Sequence, residues 1–468
     1  MSKKISPLDV FNLLPKTNCG KCGEDTCFAF ATKVADRKVD LELCTPLFEE
    51  ENYKKSQEKL SLLLRPAVRE VRVSSKGREV RLGGKTVVYR HEFRYDNPTV
   101  IAISVSDAMP EEEMLSKVKK ASDFEYRYIG MDLTLDMIAV RCVSNDPLQF
   151  EGRVKRIAET TEMPLILCSF RPEIIEQGLT ALGEARPLIY AANKDNWKEM
   201  AQLSLMFKCP LVVSAPNDLD QLRSLVNTLQ QLGIEDLVLD PGTLPDDGIR
   251  STIKNFTMLR RSACAKGDDL SGFPLLGAPI TVWSKEEENP VVNTWKESYL
   301  ASMLLCRYAD ILVLNSMEMW PILPLAILRT NIYTDPVKPV TVEPGLKTFG
   351  NPDSNSPVLY TTNFALTYFT VREDFKDLDC YLLVIDTEGI SVESAVAGAK
   401  LTADKVAEAI KETGIEKMVD HRKLVSPGLA ARISGETEEA SGWEVLVGPR
   451  DSAGIKAFLG KKFYQEKE

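Results

Sequence analysis

Histidine is almost missing from this chain: His91 and His421 are the only two in 468 residues. His421 stands beside an arginine in "DHRK", where a lone histidine reads as a surface or loop residue rather than a ligand. Long apolar runs are missing too. None reaches the roughly 20 residues that a membrane-spanning helix needs, so no membrane partner is expected. The opening stretch, "MSKKISPLDVFNLLPKTNCG", has lysines but neither a sustained apolar core nor a small-residue cleavage site. No secretory leader is read from it, and the expected location is cytoplasmic. Positive charge is in deficit. Lys and Arg number 58 against 68 Asp and Glu, a net charge of −10, which argues against the basic face of a nucleic-acid binder. Neither G-x-G-x-x-G nor G-x-x-x-x-G-K-[ST] occurs in the C-terminal turns, so nucleotide phosphate binding has little support.

What is present is an ordinary globular composition, 44% hydrophobic and 27% charged, over a length that suggests about three domains. Ten cysteines in a reducing compartment do not make a disulfide framework. Cys142, Cys168, Cys209, Cys264, Cys306 and Cys380 lie singly, mostly beside apolar runs, and read as small buried hydrophobes. Cys19, Cys22, Cys27 and Cys44 are different, because they form one pattern, Cys-x2-Cys-x4-Cys-x16-Cys. Gly20 and Gly23 supply the positive backbone angles that a tight wrap needs. The run after Cys27 reads as a short helix burying Phe28, Val34 and Ala35, which returns the chain so that Cys44 closes the site. Structural zinc usually draws two short Cys-x-x-Cys knuckles, and no second knuckle exists here. One crowded loop plus a distant fourth cysteine suits a 4Fe-4S cluster better. The order is cluster, then zinc, then no metal.

The central region is periodic. Residues 61–95 read as a connector with a β-hairpin around "LGGKT". Eight short apolar strands follow, at 99–105, 135–143, 164–170, 187–193, 210–215, 236–240, 273–279 and 310–315, each trailed by a helical stretch. Eight such units match a (β/α)8 TIM barrel, usually about 250 residues long; an open doubly wound sheet is the alternative. The strand ends offer Asn193, Asp240 and Asn315, with Arg141 and Arg171 nearby. They show no paired carboxylates and no histidine, and each Asn or Asp singly reads as a helix cap. From about residue 320 the chain turns loop-rich. Beyond it, strand–turn–helix repeats, with one long helix at 391–414 capped by Ser391, imply a small doubly wound domain. Ligands of such sheets sit beyond the strand C-termini, where "TTNF" (361–364), "DTEGIS" (386–391) and "SPGLAA" (426–431) would line the crevice.

Taken together, "NCGKCGEDTC…C", the eight βα units and "SPVLYTTNFALTYFT…VIDTEGIS…SGWEVLVGPRDSAGI" resemble the large (gamma) subunit of the corrinoid iron–sulfur protein, part of the acetyl-CoA decarbonylase/synthase system. The resemblance covers essentially the whole chain. It implies an α/β chain with a small N-terminal 4Fe-4S domain (1–60), a connector (61–95), a TIM barrel (96–325) and a doubly wound, Rossmann-like corrinoid-binding domain (326–468). It implies a 4Fe-4S cluster on Cys19, Cys22, Cys27 and Cys44. It also implies a cobalamin-type corrinoid, base-off and without a protein histidine ligand, contacted by Thr362, by Asp386, Thr387, Glu388, Gly389, Ile390 and Ser391, and by Gly428, Leu429, Ala430 and Ala431. Neither histidine sits in the Asp-x-His-x-x-Gly motif through which many corrinoid proteins ligate cobalt. The implied activity is a methyltransferase component: Co(I) takes a methyl group from a methyl-tetrahydropterin and passes it to acetyl-CoA synthase, with the cluster reactivating oxidised cobalt. The implied partners are a smaller barrel subunit forming a heterodimer, the methyl-tetrahydropterin or its methyltransferase, and acetyl-CoA synthase. Two rivals remain from the residues alone: an iron–sulfur oxidoreductase with a barrel active site and a flavodoxin-like tail, and a scaffold that holds partners.

Overall fold

Short helices build the N-terminal segment. In the computed structural model, which describes residues 5–36, 38–89, 96–285, 289–335 and 339–464, the helix Cys27–Ala35 starts on Thr26, whose hydroxyl accepts from Ala29 N at 3.1 Å. His91 lies outside the described residues. The helix buries Cys27, Phe30, Ala31 and Val34, an i, i+3, i+4, i+7 stripe, against Val10, Leu47 and Leu60. Phe28, expected inside, is 49% exposed. With the helix starting at Cys27, position 28 falls off the stripe and only edges onto the Phe11 ring.

A hairpin follows: β1 (Glu70–Ser74) pairs antiparallel with β2 (Glu79–Gly83). Its turn is at 75–78, where Ser75 N donates to Arg78 O. The turn is not at "LGGKT", which begins as β2 ends. The hairpin places Val71, Val73 and Leu82 in the same core as the inner faces of the barrel strands.

All eight expected barrel strands form: β3 (Val100–Ser106), β6 (Met137–Arg141), β7 (Leu165–Cys168), β8 (Leu188–Ala192), β9 (Leu211–Ser214), β10 (Leu237–Asp240), β11 (Leu276–Gly277) and β12 (Ile311–Leu314). A two-stranded ribbon, β4 (Glu125–Tyr128) and β5 (Met131–Thr134), interrupts the series. The spatial order is β10-β9-β8-β7-β6-β3-β12-β11, neighbouring strands pair in parallel, and a Leu239–Leu275 bridge joins the two ends. The barrel reading therefore holds over the open sheet. Alternation along the strands divides the apolar groups. Val100, Ala102, Met137 and Ala139 fill the barrel, while Ile101, Ile103, Ile138 and Val140 meet the outer helices.

Three local expectations fail for identifiable reasons. The stretch after 320 is a helix, Met319–Tyr333, because Pro321 falls in its first turn, where a missing N–H costs nothing. The run 391–414 is two helices, Val392–Ala397 and Ala403–Thr413. Gly398 ends the first, whose N-cap Ser391 makes no side-chain bond, and the Thr402 hydroxyl caps the second. Cys306 is exposed and Cys142 and Cys168 half-buried, whereas Cys209, Cys264 and Cys380 are buried as expected.

The chain divides into two compact units, Met1–Tyr126 with Leu133–Tyr333, and Arg127–Asp132 with Thr334–Glu468. The second holds β13 (Gly345–Phe349), β14 (Val358–Thr362), β15 (Cys380–Ile385), β16 (Lys423–Ser426) and β17 (Glu444–Val447), in the order β13-β15-β14-β16-β17. Only β13 runs antiparallel. Tyr381, Leu383 and Ile385 pack on one face, Cys380, Leu382 and Val384 on the other, so the sheet is doubly wound. No helix among the described residues is long and apolar enough to cross a membrane.

The barrel also buries charge. Arg260 and Asp310, each 1% exposed, meet at 2.6 Å. Asp310 accepts from Leu275 N at 2.8 Å as well and faces Lys85 Nζ at 3.6 Å. Asp310→Ala would strand two buried cations and a backbone N–H. The expected cost is about 3–5 kcal/mol, read as a shift of the barrel's denaturant midpoint; an unchanged midpoint would contradict this account of the pair.

Candidate functional site

The four N-terminal cysteines share one neighbourhood. Gly20 and Gly23 have φ of +71° and +85°, and Gly23 N donates to Gly20 O across the loop. Asn18 clamps it: its Oδ1 accepts from Cys27 N at 2.8 Å, and its N donates to Cys27 Sγ at 3.4 Å. Cys19 is exposed, Cys22 half-buried, and Cys27 and Cys44 are buried in the small helical core. Burial pushes the Cys44 thiol up, and the nearby sulfurs of Cys22, Cys27 and Cys19 add to that. The N–H of Lys21, then the Thr17 hydroxyl, pull the Cys19 thiol down. Among the described residues no three His, Cys, Asp or Glu side chains are spaced to hold a single metal ion.

In the second unit, chain order and spatial order part company at β14. The connection leaving β15 passes over β14 to reach β16, and such a switch point opens a crevice at the strand C-termini. A cavity of about 430 Å³ lies there, lined by Tyr360, Leu366, Phe375, Val425, Ser426 and Ile455 among others. Three hydroxyls, on Tyr360 and Thr362 of β14 and on Ser426 at the end of β16, are buried; Tyr360 and Ser426 face each other, and none of the three makes a hydrogen bond of good geometry. Such groups are costly unless something satisfies them. Burial pushes the Tyr360 hydroxyl well above its ordinary pKa.

The expected turns lie around this crevice. Asn363, within the first of them, ties it to the second. Its Oδ1 accepts from Thr387 N and Gly389 N, both at 3.0 Å, with the Thr387 hydroxyl at 3.1 Å, and its Nδ2 donates to Asp386 Oδ1 at 2.9 Å. Asp386 also receives Glu388 N at 2.9 Å. Gly389 has φ +75°, and a Cβ there would come within 2.6 Å of Thr341. Thr387 is fully buried, Asp386 and Glu388 are exposed, and Ile390 and Ser391 half-buried. Of the last turn, Gly428 packs against the 448–450 backbone, closer than a Cβ allows. Leu429 lines the cavity, Ala430 points into the core, and Ala431 is exposed. Tyr360 escaped the sequence reading, and Asn363 and Ser426 lay within the expected turns without being singled out. The one available signal was polar residues closing otherwise apolar strands.

His421 precedes β16 and so stands at the opposite, N-terminal end of that strand. Its Nε2 meets Ser356 O at 2.9 Å, its Nδ1 accepts from Lys423 N at 3.2 Å, and Trp443 and Phe463 pack on the ring. At the barrel's strand ends, Asn193 holds the turn ahead of the helix Trp197–Phe207, accepting from Asp195 N and Asn196 N, and is not that helix's N-cap, which is Asn196. Arg171 pairs with Glu173 on the surface. Asp240 is not a simple cap. It is buried and accepts from Tyr190 OH at 2.8 Å, Gly242 N at 2.9 Å and Ser214 Oγ at 3.0 Å, while burial pushes its carboxyl up.

A family model described as "CO dehydrogenase/acetyl-CoA synthase delta subunit" matches residues 70–459, and one described as "Putative Fe-S cluster" matches residues 14–46. The chain is 45% identical over 464 residues to the acetyl-CoA decarbonylase/synthase complex subunit gamma of Methanothermobacter thermautotrophicus, covering 98% of this chain and 99% of that one. It is 44% identical over 463 residues to subunit gamma 2 of Methanosarcina thermophila, covering 98% of each. The Archaeoglobus fulgidus gamma subunit is 42% identical over 468 residues, covering 98% of this chain and 99% of that one. Among solved structures, dihydropteroate synthase from Xanthomonas albilineans overlaps 57% of this chain and 100% of its own at 13% identity, with a TM-score of 0.40. The delta description belongs to a model that omits the cysteine segment, whereas the full-length relatives include it and are gamma subunits. The chain belongs to the family of acetyl-CoA decarbonylase/synthase complex gamma subunits.

Proposed function

We propose that this chain is the methyl-carrying large subunit of a corrinoid iron–sulfur protein, with a 4Fe-4S cluster on Cys19, Cys22, Cys27 and Cys44 and a corrinoid over the C-terminal crevice. The observation that carries the reading is the set of three orphaned hydroxyls, on Tyr360, Thr362 and Ser426, beside an apolar cavity at the strand switch point. A corrinoid is a broad flat ring with one long arm. The cavity is far too small for the ring but suits an arm, whose polar groups would satisfy the hydroxyls. The close backbone packing at Gly389 and Gly428 keeps the flanking turns low enough for a flat ligand to lie across them. The donor set of the N-terminal loop fits its group as well. Four soft thiols in one neighbourhood, spread wider than a single ion's shell, suit a cluster whose irons sit apart.

When bound, the corrinoid would supply a cobalt centre that takes a methyl group from a methyl-tetrahydropterin and yields it to acetyl-CoA synthase, with the cluster supplying the electron that restores Co(I). The chain's own part is to hold and orient. Asn363 ties the end of β14 to the 386–391 turn, so both border the crevice at fixed separation. Thr362, Asp386 to Ser391, and Gly428 to Ala431 contact the corrinoid in this reading, with Ala430 contributing through its backbone, since its side chain faces the core. Both ring nitrogens of His421 are engaged at the far end of β16, which supports base-off binding without that imidazole as a ligand. A smaller subunit pairs with this one, and the methyl-tetrahydropterin or its methyltransferase and acetyl-CoA synthase are the exchange partners.

Anaerobic purification with the smaller subunit coexpressed tests the reading: corrinoid bands with a cluster shoulder are expected, and a flavin spectrum without cobalt would sink it. Cys27→Ala should abolish reductive activation yet spare methyl transfer by cobalt already reduced; loss of both in a folded variant would give the cluster another role. Asn363→Ala removes several buried hydrogen bonds, worth about 1–3 kcal/mol each when a partner is left unmade. Cobalt content should fall with iron content unchanged, and the Thr387 and Gly389 amides should lose hydrogen-exchange protection. Protection equal to wild type would refute the role given to Asn363.

A further inference from the structure

The mouth of the barrel carries positive charge that nothing in the barrel pairs. Met137 and Ala139 of β6 face the barrel interior, so strand alternation puts Arg141 on that side at the C-terminal end. On the neighbouring strand β3, and on β12 beyond it, the same alternation turns Ser104 and Asn315 inward. Arg141 gives Nε to Ser104 Oγ at 2.7 Å. Its terminal amino groups make no hydrogen bond or salt bridge among the described residues. Lys117, on the helix Glu111–Ser122 that follows β3, reaches over to Asn315 Oδ1 at 3.1 Å and makes no salt bridge either. That contact leaves the Asn315 amide nitrogen free to donate. Burial, opposed by the Glu297 carboxylate and aided by repulsion from Arg141, brings the Lys117 ammonium down to about 8.

Of the nearby carboxylates, Glu113 is exposed one turn before Lys117 on the same helix, and the others are already engaged. Glu297 accepts from Asn315 N at 2.6 Å and Ser316 N at 2.9 Å. Asp107 accepts from Val143 N, Ser144 N and the Ser144 hydroxyl, and Asp240 is held by Tyr190, Ser214 and Gly242. What remains at β12, β3 and β6 is a group of convergent donors, two of them cationic, and no spare acceptor. A guanidinium fork matches an oxyanion in two parallel hydrogen bonds. The C-terminal face of a barrel is also where its ligands bind.

We propose that the barrel mouth is a binding site for a small oxyanion, a carboxylate- or phosphate-bearing molecule, held by the Arg141 fork and by Lys117 with the Asn315 amide. The site stands on barrel residues alone and is independent of the corrinoid reading. Calorimetric titration of the full chain, in its cofactor-loaded complex at constant ionic strength, tests it with inorganic phosphate in one arm and succinate in the other. One probe should bind at a single site per chain, and the preferred probe identifies the anion class. Arg141→Gln and Lys117→Met should each weaken that binding roughly tenfold or more, the loss expected for a charged hydrogen bond. Arg141→Lys, which keeps charge but loses the fork, should weaken it less than Arg141→Gln. If Arg141→Gln fails to fold by circular dichroism, Lys117→Met, a change on a half-exposed helix position, carries the test. Absence of saturable binding in the wild type, or equal binding by wild type and folded variants, overturns the proposal.

Discussion

Parallel strands can be joined only by crossovers, and crossovers cover both faces of the sheet. Both α/β units of this chain obey that constraint, and the placement of their polar groups follows from it. With one face under helices and the other against the barrel's own interior or a second helical layer, the strands are buried on both sides, as every residue of β3 and β15 attests. Polar side chains are pushed to the strand ends. Because the strands share a direction, their C-terminal ends gather at one edge, and groups far apart in sequence meet there. Ser104, Arg141 and Asn315 meet this way in the barrel, as do Thr362, Thr387 and Ser426 in the second unit.

The same constraint explains what could be read from the sequence. A strand buried on both faces is a short unbroken apolar run, and eight such runs in the middle of the chain gave the barrel count directly. Phase and punctuation were harder. Phe28 and Met319–Tyr333 went astray because helix phase depends on where the first turn starts, and a proline within that turn reads as a stop although it acts as a beginning. The roles of Asn363, Tyr360 and Ser426 stayed hidden for another reason, although Asn363 and Ser426 lie in turns that the sequence marked. Their importance comes from β14 lying between β15 and β16, and strand order is a non-local property that no window of sequence contains. Arg141 was visible as a strand-end residue, but nothing in a helix pattern marks Lys117 as the residue that reaches Asn315.

The N-terminal segment follows a different rule. It is too small to bury much apolar surface, and two of its four cysteines, Cys27 and Cys44, sit within the little core it has. In the proposed cluster site, ligand sulfurs and packing residues would be partly the same, which would link folding to metal loading. The clamp from Asn18 onto Cys27 would place one sulfur before any metal arrives, and the exposed Cys19 would be the ligand most open to exchange.

The Asn363 carboxamide joins two loops that chain connectivity keeps separate. Its single oxygen takes donors from Thr387 and Gly389, and its nitrogen holds Asp386, so the 386–391 turn cannot open stepwise. Releasing one of these bonds misplaces the carboxamide for the others. The rim of the crevice thus behaves as a cooperative latch with two settings, seated or free, and a ligand that orders one loop has already organised the other.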